Sequence, residues 1–181
     1  MNVLAISGSL RKGSLNTQLL HAAVELAPKE MMITPFDLAP IPLYNEDIRE
    51  KGFPPSVEAF RSAIKKADAL LIVTPEYNYS IPGVLKNAID WASRPPEQPF
   101  SGKPMAIMGA SPSLFGTARC QYQLRQVFIY LNGFILNQPE VMVGKANEKF
   151  DAGGRLTDEK TREHVAGFLV ALKNWTLHVG K

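Results

Sequence analysis

Cysteine is nearly absent from this chain of 181 residues: Cys120 stands alone. One cysteine cannot close a disulfide within the chain, and so low a thiol count fits a reducing compartment. Histidine is almost as scarce, with only His21, His164 and His178. All three fall on expected helices, away from the loops discussed below, and read as surface or packing residues. No Ser-His-Asp, Cys-His or metal-ligand set can be assembled, so neither a side-chain nucleophile nor a metal centre is expected. No apolar run approaches the roughly 20 residues of a membrane span, and the N-terminus lacks the basic flank of a secretory signal. The net charge is +3, with Lys and Arg scattered among acids rather than gathered into a stripe. Nucleic acid is therefore a poor partner, while anionic small molecules remain good ones. These absences point to a cytoplasmic protein without nucleic-acid or membrane partners. Its length fits a single domain over residues 1–181, which buries roughly 70% of its unfolded surface and needs no staples.

What is present is organised around Gly8-Ser9-Leu10-Arg11-Lys12-Gly13-Ser14-Leu15-Asn16. The apolar run Val3-Leu4-Ala5-Ile6 precedes it and a helical pattern follows, so a strand, a polar loop and a helix N-terminus come in that order. Such a loop aims backbone N–H groups at one spot, where the helix dipole adds partial positive charge. Arg11 adds a fork of donors, and Ser9, Ser14 and Asn16 add short hydrogen-bonding groups. All of this suits a phosphate. The plainer alternative is an ordinary βα turn, with Ser14 capping the helix and Arg11 in solvent. Two familiar phosphate loops do not fit. Ser14 stands where a Walker loop needs lysine, and Leu10 stands where the dinucleotide fingerprint needs its second glycine. Without that fingerprint, Asp37 reads as a turn residue rather than a ribose ligand.

Along the chain, Leu15, Leu19, Ala22, Ala23, Leu26 and Ala27 give the first helix one apolar face, which ends at Pro28. Residues 31–36 read as a second strand at a sheet edge because of Pro35. The proline-rich residues 39–47 are too apolar for a free linker and read as a surface cover. A helix follows Pro54-Pro55 with Ser56 as its cap, then the continuous apolar strand of residues 69–74. Pro82 opens the next helix, residues 104–110 make a fourth strand, and a further helix carries Leu124, Val127, Phe128 and Leu131. Residues 134–143 supply a fifth strand, interrupted by Pro139. Thr157 caps the last helix, whose core face is Val165, Phe168, Leu169, Leu172 and Trp175. Strands alternating with helices give a doubly wound α/β domain.

In such sheets ligands lie beyond the C-terminal ends of the strands. Three loops there stand out: residues 8–16, the aromatic and amide-rich residues 75–81, and residues 110–117. The second could lie along a flat heterocycle, or its tyrosines could simply fill a seam. Here the chain resembles a family. The first loop and Pro75-Glu76-Tyr77-Asn78-Tyr79-Ser80-Ile81-Pro82-Gly83 are similar to the two signatures of NADPH-dependent FMN reductases, in the branch of chromate and quinone reductases. The resemblance runs from Val3 to about Val143. It implies a flavodoxin-like fold: a five-stranded parallel sheet of order 2-1-3-4-5 with helices on both faces. It implies that Ser9, Arg11, Ser14, Asn16 and Thr17 surround the FMN phosphate. Pro75, Glu76, Tyr77 and Asn78 would border the isoalloxazine, and Ser111 and Gly116 would complete the third loop. It also implies a homodimer or homotetramer and a ping-pong hydride transfer. NADPH or NADH would reduce flavin N5, and a small oxidant such as a quinone, chromate, an azo compound or free flavin would then be reduced. The competing reading is a flavodoxin-type carrier of single electrons, which the basic charge and the loop composition disfavour. Cys120 reads as a small buried thiol at a helix start.

Overall fold

The computed structural model describes residues 1–180. Strand β1 (Asn2–Ser7) leads through the first loop to helix α1 (Leu15–Glu25), and β2 (Met32–Phe36) follows. A short helix α2 (Glu46–Arg49) precedes α3 (Pro55–Lys66), β3 (Ala69–Val73) and α4 (Gly83–Ala92). Then come β4 (Pro104–Ala110), α5 (Ala118–Tyr130), β5 (Phe134–Ile135), β6 (Val141–Val143) and the long α6 (Glu159–Val179).

All strand pairings are parallel, in the order β2-β1-β3-β4-β5. The expected fifth strand is two short ones. β5 pairs with the start of β4 (Pro104 with Phe134) and β6 with its end (Met108 with Val141). Between them the chain passes Pro139, which has no N–H to give to a ladder.

Successive residues of a strand face opposite sides, so each central strand feeds two cores. Val3, Ala5, Leu71, Val73, Ala106 and Met108 pack under α1 and α6. Leu4, Ile6, Leu70, Ile72, Met105 and Ile107 pack under α3, α4 and α5. Helix α6 buries Val165, Phe168, Leu169 and Leu172, a stripe at helical spacing. Each such side chain contributes roughly 1.5–3 kcal/mol of burial. The proline-rich segment does cover something: the Pro42 carbonyl accepts from Asn87 Nδ2 (2.8 Å) and Trp91 Nε1 (2.9 Å) on α4.

Two helix starts differ from expectation. Helix α3 begins at Pro55 with Pro54 as its cap residue, leaving Ser56 inside the first turn; a proline at the first position has its φ preset and no N–H to satisfy. Asp158, not Thr157, caps α6, accepting from Thr161 N at 3.0 Å and from Lys149 Nζ at 3.0 Å. A full negative charge at a helix N-terminus outcompetes a hydroxyl. The hydrogen bonds that Asp158 accepts, first from Thr161 and then from Lys149, hold its carboxyl down at about 2.

Candidate functional site

Parallel strands end on one edge of the sheet, and the loops leaving β1, β3 and β4 meet there. Ser9, Arg11, Ser14, Asn16, Pro75, Glu76, Tyr77 and Ser111 line one cavity of about 260 Å3. Eight of the eleven residues expected at the site are thus brought together from three separate stretches. Leu15, Ala110 and Pro112 line it too; they fall within the first and third loops, but their apolar side chains do not single them out as site residues.

The first loop is a built turn. Gly13 sits at φ +68, a conformation glycine adopts without cost. Ser14 is the N-cap of α1, its Oγ accepting from Asn16 N at 3.2 Å. Arg11 donates from Nη2 to the Gly13 carbonyl at 3.2 Å and is otherwise exposed. Ser9 Oγ accepts from Arg11 N at 3.3 Å and lies 3.4 Å from Tyr77 Oη. Among the described residues, the N–H groups of Gly13 and Leu15 have no acceptor within the chain. The Leu15 N–H, the Arg11 guanidinium and the Ser9 and Ser14 hydroxyls make this end of the cavity a set of donors, which suits a terminal phosphate.

Asn16 does something the sequence does not reveal. Its side chain is buried; Nδ2 donates to the Ala110 carbonyl at 2.9 Å and Oδ1 accepts from Ala110 N at 2.9 Å. The amide pairs with the end of β4 as another strand would, and ties the first loop to the third. Thr17 faces away from the cavity: its Oγ1 lies 2.9 Å from Ser7 Oγ, on the β2 side of the loop.

The second loop is clamped to α5. Residues 77–80 form a tight turn closed by Tyr77 N to Ser80 O (3.1 Å) and Ser80 N to Tyr77 O (2.9 Å). Its central residues, Asn78 and Tyr79, sit at φ 50 and 63. Asparagine tolerates that region, whereas a tyrosine held there is strained and must be fixed by its surroundings. Gln123 donates to the Tyr79 carbonyl at 2.9 Å and accepts from Ser80 Oγ at 2.7 Å. Glu76 accepts from Cys120 N (3.0 Å) and from Arg119 Nη1 (3.3 Å). The Arg119 guanidinium stacks 4.0 Å from the Tyr79 ring and 5.0 Å from Phe115. Asn78 is exposed and lies outside the cavity lining. Cys120 is buried; desolvation pushes its thiol up to about 11, so it is protonated at neutral pH.

In the third loop, Ser111 Oγ accepts from Ser113 N at 3.1 Å. Gly116 does not line the cavity. It is at φ +59 and packs on β6, where a Cβ would lie 2.8 Å from the Met142 carbonyl carbon. Its role is to let two backbones approach.

Known proteins resemble this chain closely. The family model for NADPH-dependent FMN reductase matches residues 1–148. An NAD(P)H-dependent FMN reductase of Pseudomonas aeruginosa is 60% identical over 175 residues, which are 97% of this chain and 95% of that protein. A quinone reductase of Escherichia coli is 46% identical, covering 94% of this chain and 93% of its own. Among solved structures, the flavoenzyme NAD(P)H:(acceptor) oxidoreductase FerB from Paracoccus denitrificans superimposes with a TM-score of 0.90. It is 36% identical, and the match covers 98% of this chain and 97% of that one.

Proposed function

The chain belongs to the NADPH-dependent FMN reductase family, and on that premise we propose that the cavity under its three loops holds FMN between NAD(P)H and a quinone. The protein is an FMN-dependent NAD(P)H oxidoreductase. The observation that supports the placement is the convergence of residues 9–16, 75–77 and 110–112 on one cavity rich in donors.

The residues present fit FMN. Arg11, the free N–H of Leu15, and the hydroxyls of Ser9 and Ser14 would hold the phosphate. Pro75, Glu76 and Tyr77, with Ser111 opposite, would border the ring system, largely through backbone groups. When bound, FMN would supply the hydride and electron-transfer chemistry. The protein's part is placement. Asn16 holds the first and third walls at a set separation, and Glu76, Arg119 and Gln123 hold the second. No side-chain acid or base has to act. Tyr77, on the cavity wall, would border the face over which nicotinamide and oxidant alternate, with Asn78 outside the lining.

The oxidant is a small molecule, with quinones favoured and chromate, azo compounds and free flavin as further candidates. The chain assembles as a homodimer or homotetramer in the cytoplasm. Exposed apolar side chains support the assembly: Leu43, Ile129 and Tyr130 are 84%, 77% and 87% exposed. Among the described residues, no helix is long and apolar enough to cross a membrane.

Titration of the flavin-free protein with FMN and with FAD tests the site. One FMN per chain and much weaker FAD are expected; equal affinities would overturn the placement. Parallel-line kinetics with NADPH and a quinone separate the enzyme from a single-electron carrier, which would react poorly with nicotinamides directly.

A further inference from the structure

Among the described residues, the wall of the proposed flavin cavity carries one acidic side chain, Glu76, and one basic side chain, Arg11. Simple electrostatics make Glu76 a poor choice for that wall. Hydride transfer moves two electrons and one proton, so the nicotinamide leaves oxidised and the ring system gains one negative charge. A carboxylate bordering the ring opposes that charge. Its side chain is only 9% exposed, so little water screens the opposition.

Helix α5 explains why a carboxylate stands there. Its cap residue, Thr117, makes no side-chain cap hydrogen bond. Glu76 supplies the missing acceptor from another loop, taking the Cys120 N–H on Oε2 at 3.0 Å. A negative charge suits a helix N-terminus, yet that terminus returns only a partial positive charge. Arg119 supplies a full one. Its Nη1 donates to Glu76 Oε1 at 3.3 Å, so each carboxylate oxygen has its own partner. Among the described residues, Arg119 pairs with no other carboxylate. The rings of Tyr79 and Phe115, one from the second loop and one from the third, hold the guanidinium in place without neutralising it.

We propose that Arg119 sets the redox balance of the bound flavin by neutralising Glu76, so that the reduced cofactor is held nearly as tightly as the oxidised one. The inference rests on the flavin placement above. Arg119 lies outside the cavity lining and is a positioning residue: it acts through Glu76. Without its charge the carboxylate disfavours the reduced form, and reduction by NAD(P)H becomes less favourable. Arg119 stands 43 positions from Glu76 and in none of the motifs, which is why the sequence alone does not single it out.

The test measures two quantities for each variant. One is the midpoint potential of the FMN-loaded protein, equilibrated with reference dyes in the absence of oxygen. The other is the affinity of the flavin-free protein for oxidised FMN. Arg119→Gln should weaken binding of reduced relative to oxidised FMN by roughly tenfold, a fall of about 30 mV for a two-electron couple. Arg119→Lys keeps the charge and should stay near the wild-type potential. Glu76→Gln removes the negative charge and should move the potential upward. With Glu76 already replaced by Gln, adding Arg119→Gln should no longer lower it. An unchanged potential in Arg119→Gln, or an equal fall with and without Glu76, would overturn the proposal. If Arg119→Gln does not hold FMN, Glu76→Gln decides alone, and an unmoved potential there is equally fatal. Failure of the flavin placement looks different: Arg11→Ala would then leave FMN affinity unaltered, a result independent of any potential.

Discussion

Arg11 and Asn16 stand five residues apart, one in the first loop and one in the first turn of α1, yet the structure gives them opposite jobs. Arg11 is exposed and bonded only within its own loop, so its guanidinium is available to an anion. A charge-assisted hydrogen bond contributes about 1.5–3 kcal/mol. Arg11→Ala should therefore weaken FMN binding by roughly 10- to 150-fold, while riboflavin, which has no phosphate, binds almost as before. Unaltered FMN affinity would leave Arg11 a solvated surface residue. Asn16 is committed to Ala110 at both ends of its amide. Asn16→Ala leaves a buried N–H and a buried carbonyl unpaired, at roughly 1–3 kcal/mol each, and frees the third loop. Its expected signature is an equal loss of affinity for FMN and riboflavin. A loss confined to FMN would mean that Asn16 touches the phosphate after all. Comparing the two flavins across both variants separates contact from placement.

Helix α5 owes part of its function to its first two turns, where Arg119, the Cys120 N–H and Gln123 grip the second loop. Removing the carboxylate in Glu76→Ala releases that grip, and strain at Tyr79 can then relax. Flavin affinity should fall. Glu76→Gln keeps an oxygen for the Cys120 N–H and should restore most of the binding; if both variants behave alike, the clamp has no part in flavin binding. At the far end of the chain, the start of α6 depends on Asp158. Its carboxyl is held down at about 2 in the folded protein, against an ordinary value of 3.8. A lowered folded value means stability that is fully present above about pH 4 and lost as pH falls toward 2. Asn can cap without ionising, so the advantage of wild type over Asp158→Asn should close between pH 4 and 2, read from urea midpoints. A constant difference would remove Asp158 from the acid response.

As a whole molecule, the protein exposes several large apolar side chains, with Leu43, Ile129, Tyr130 and Leu114 all more than two-thirds exposed. Light scattering on the purified protein should return the mass of a dimer or tetramer, and Tyr130→Asp should shift it downward; a monomeric wild type would contradict the assembly. Much of the architecture was legible in the chain alone. Continuous apolar runs at residues 3–6, 69–73 and 104–110 could be satisfied only as strands covered on both faces. The stripe of α6 and the turn residues of the three loops marked helices and strand ends. These signals are local, carried by neighbours a few positions apart, so they survive in one dimension. The same holds for Ser9, Arg11, Ser14 and Pro75, whose chemistry is written in short motifs. The direction in which a polar side chain points is another matter. Asn16 meets Ala110 across 94 positions, and Glu76 meets Cys120 across 44. Thr17 turns toward β2, and Gly116 toward β6. Each of these depends on the register of β1, β3 and β4 and on how helices seat on the sheet. Packing is the sum of many weak contacts along the whole chain, and no short stretch of residues contains it.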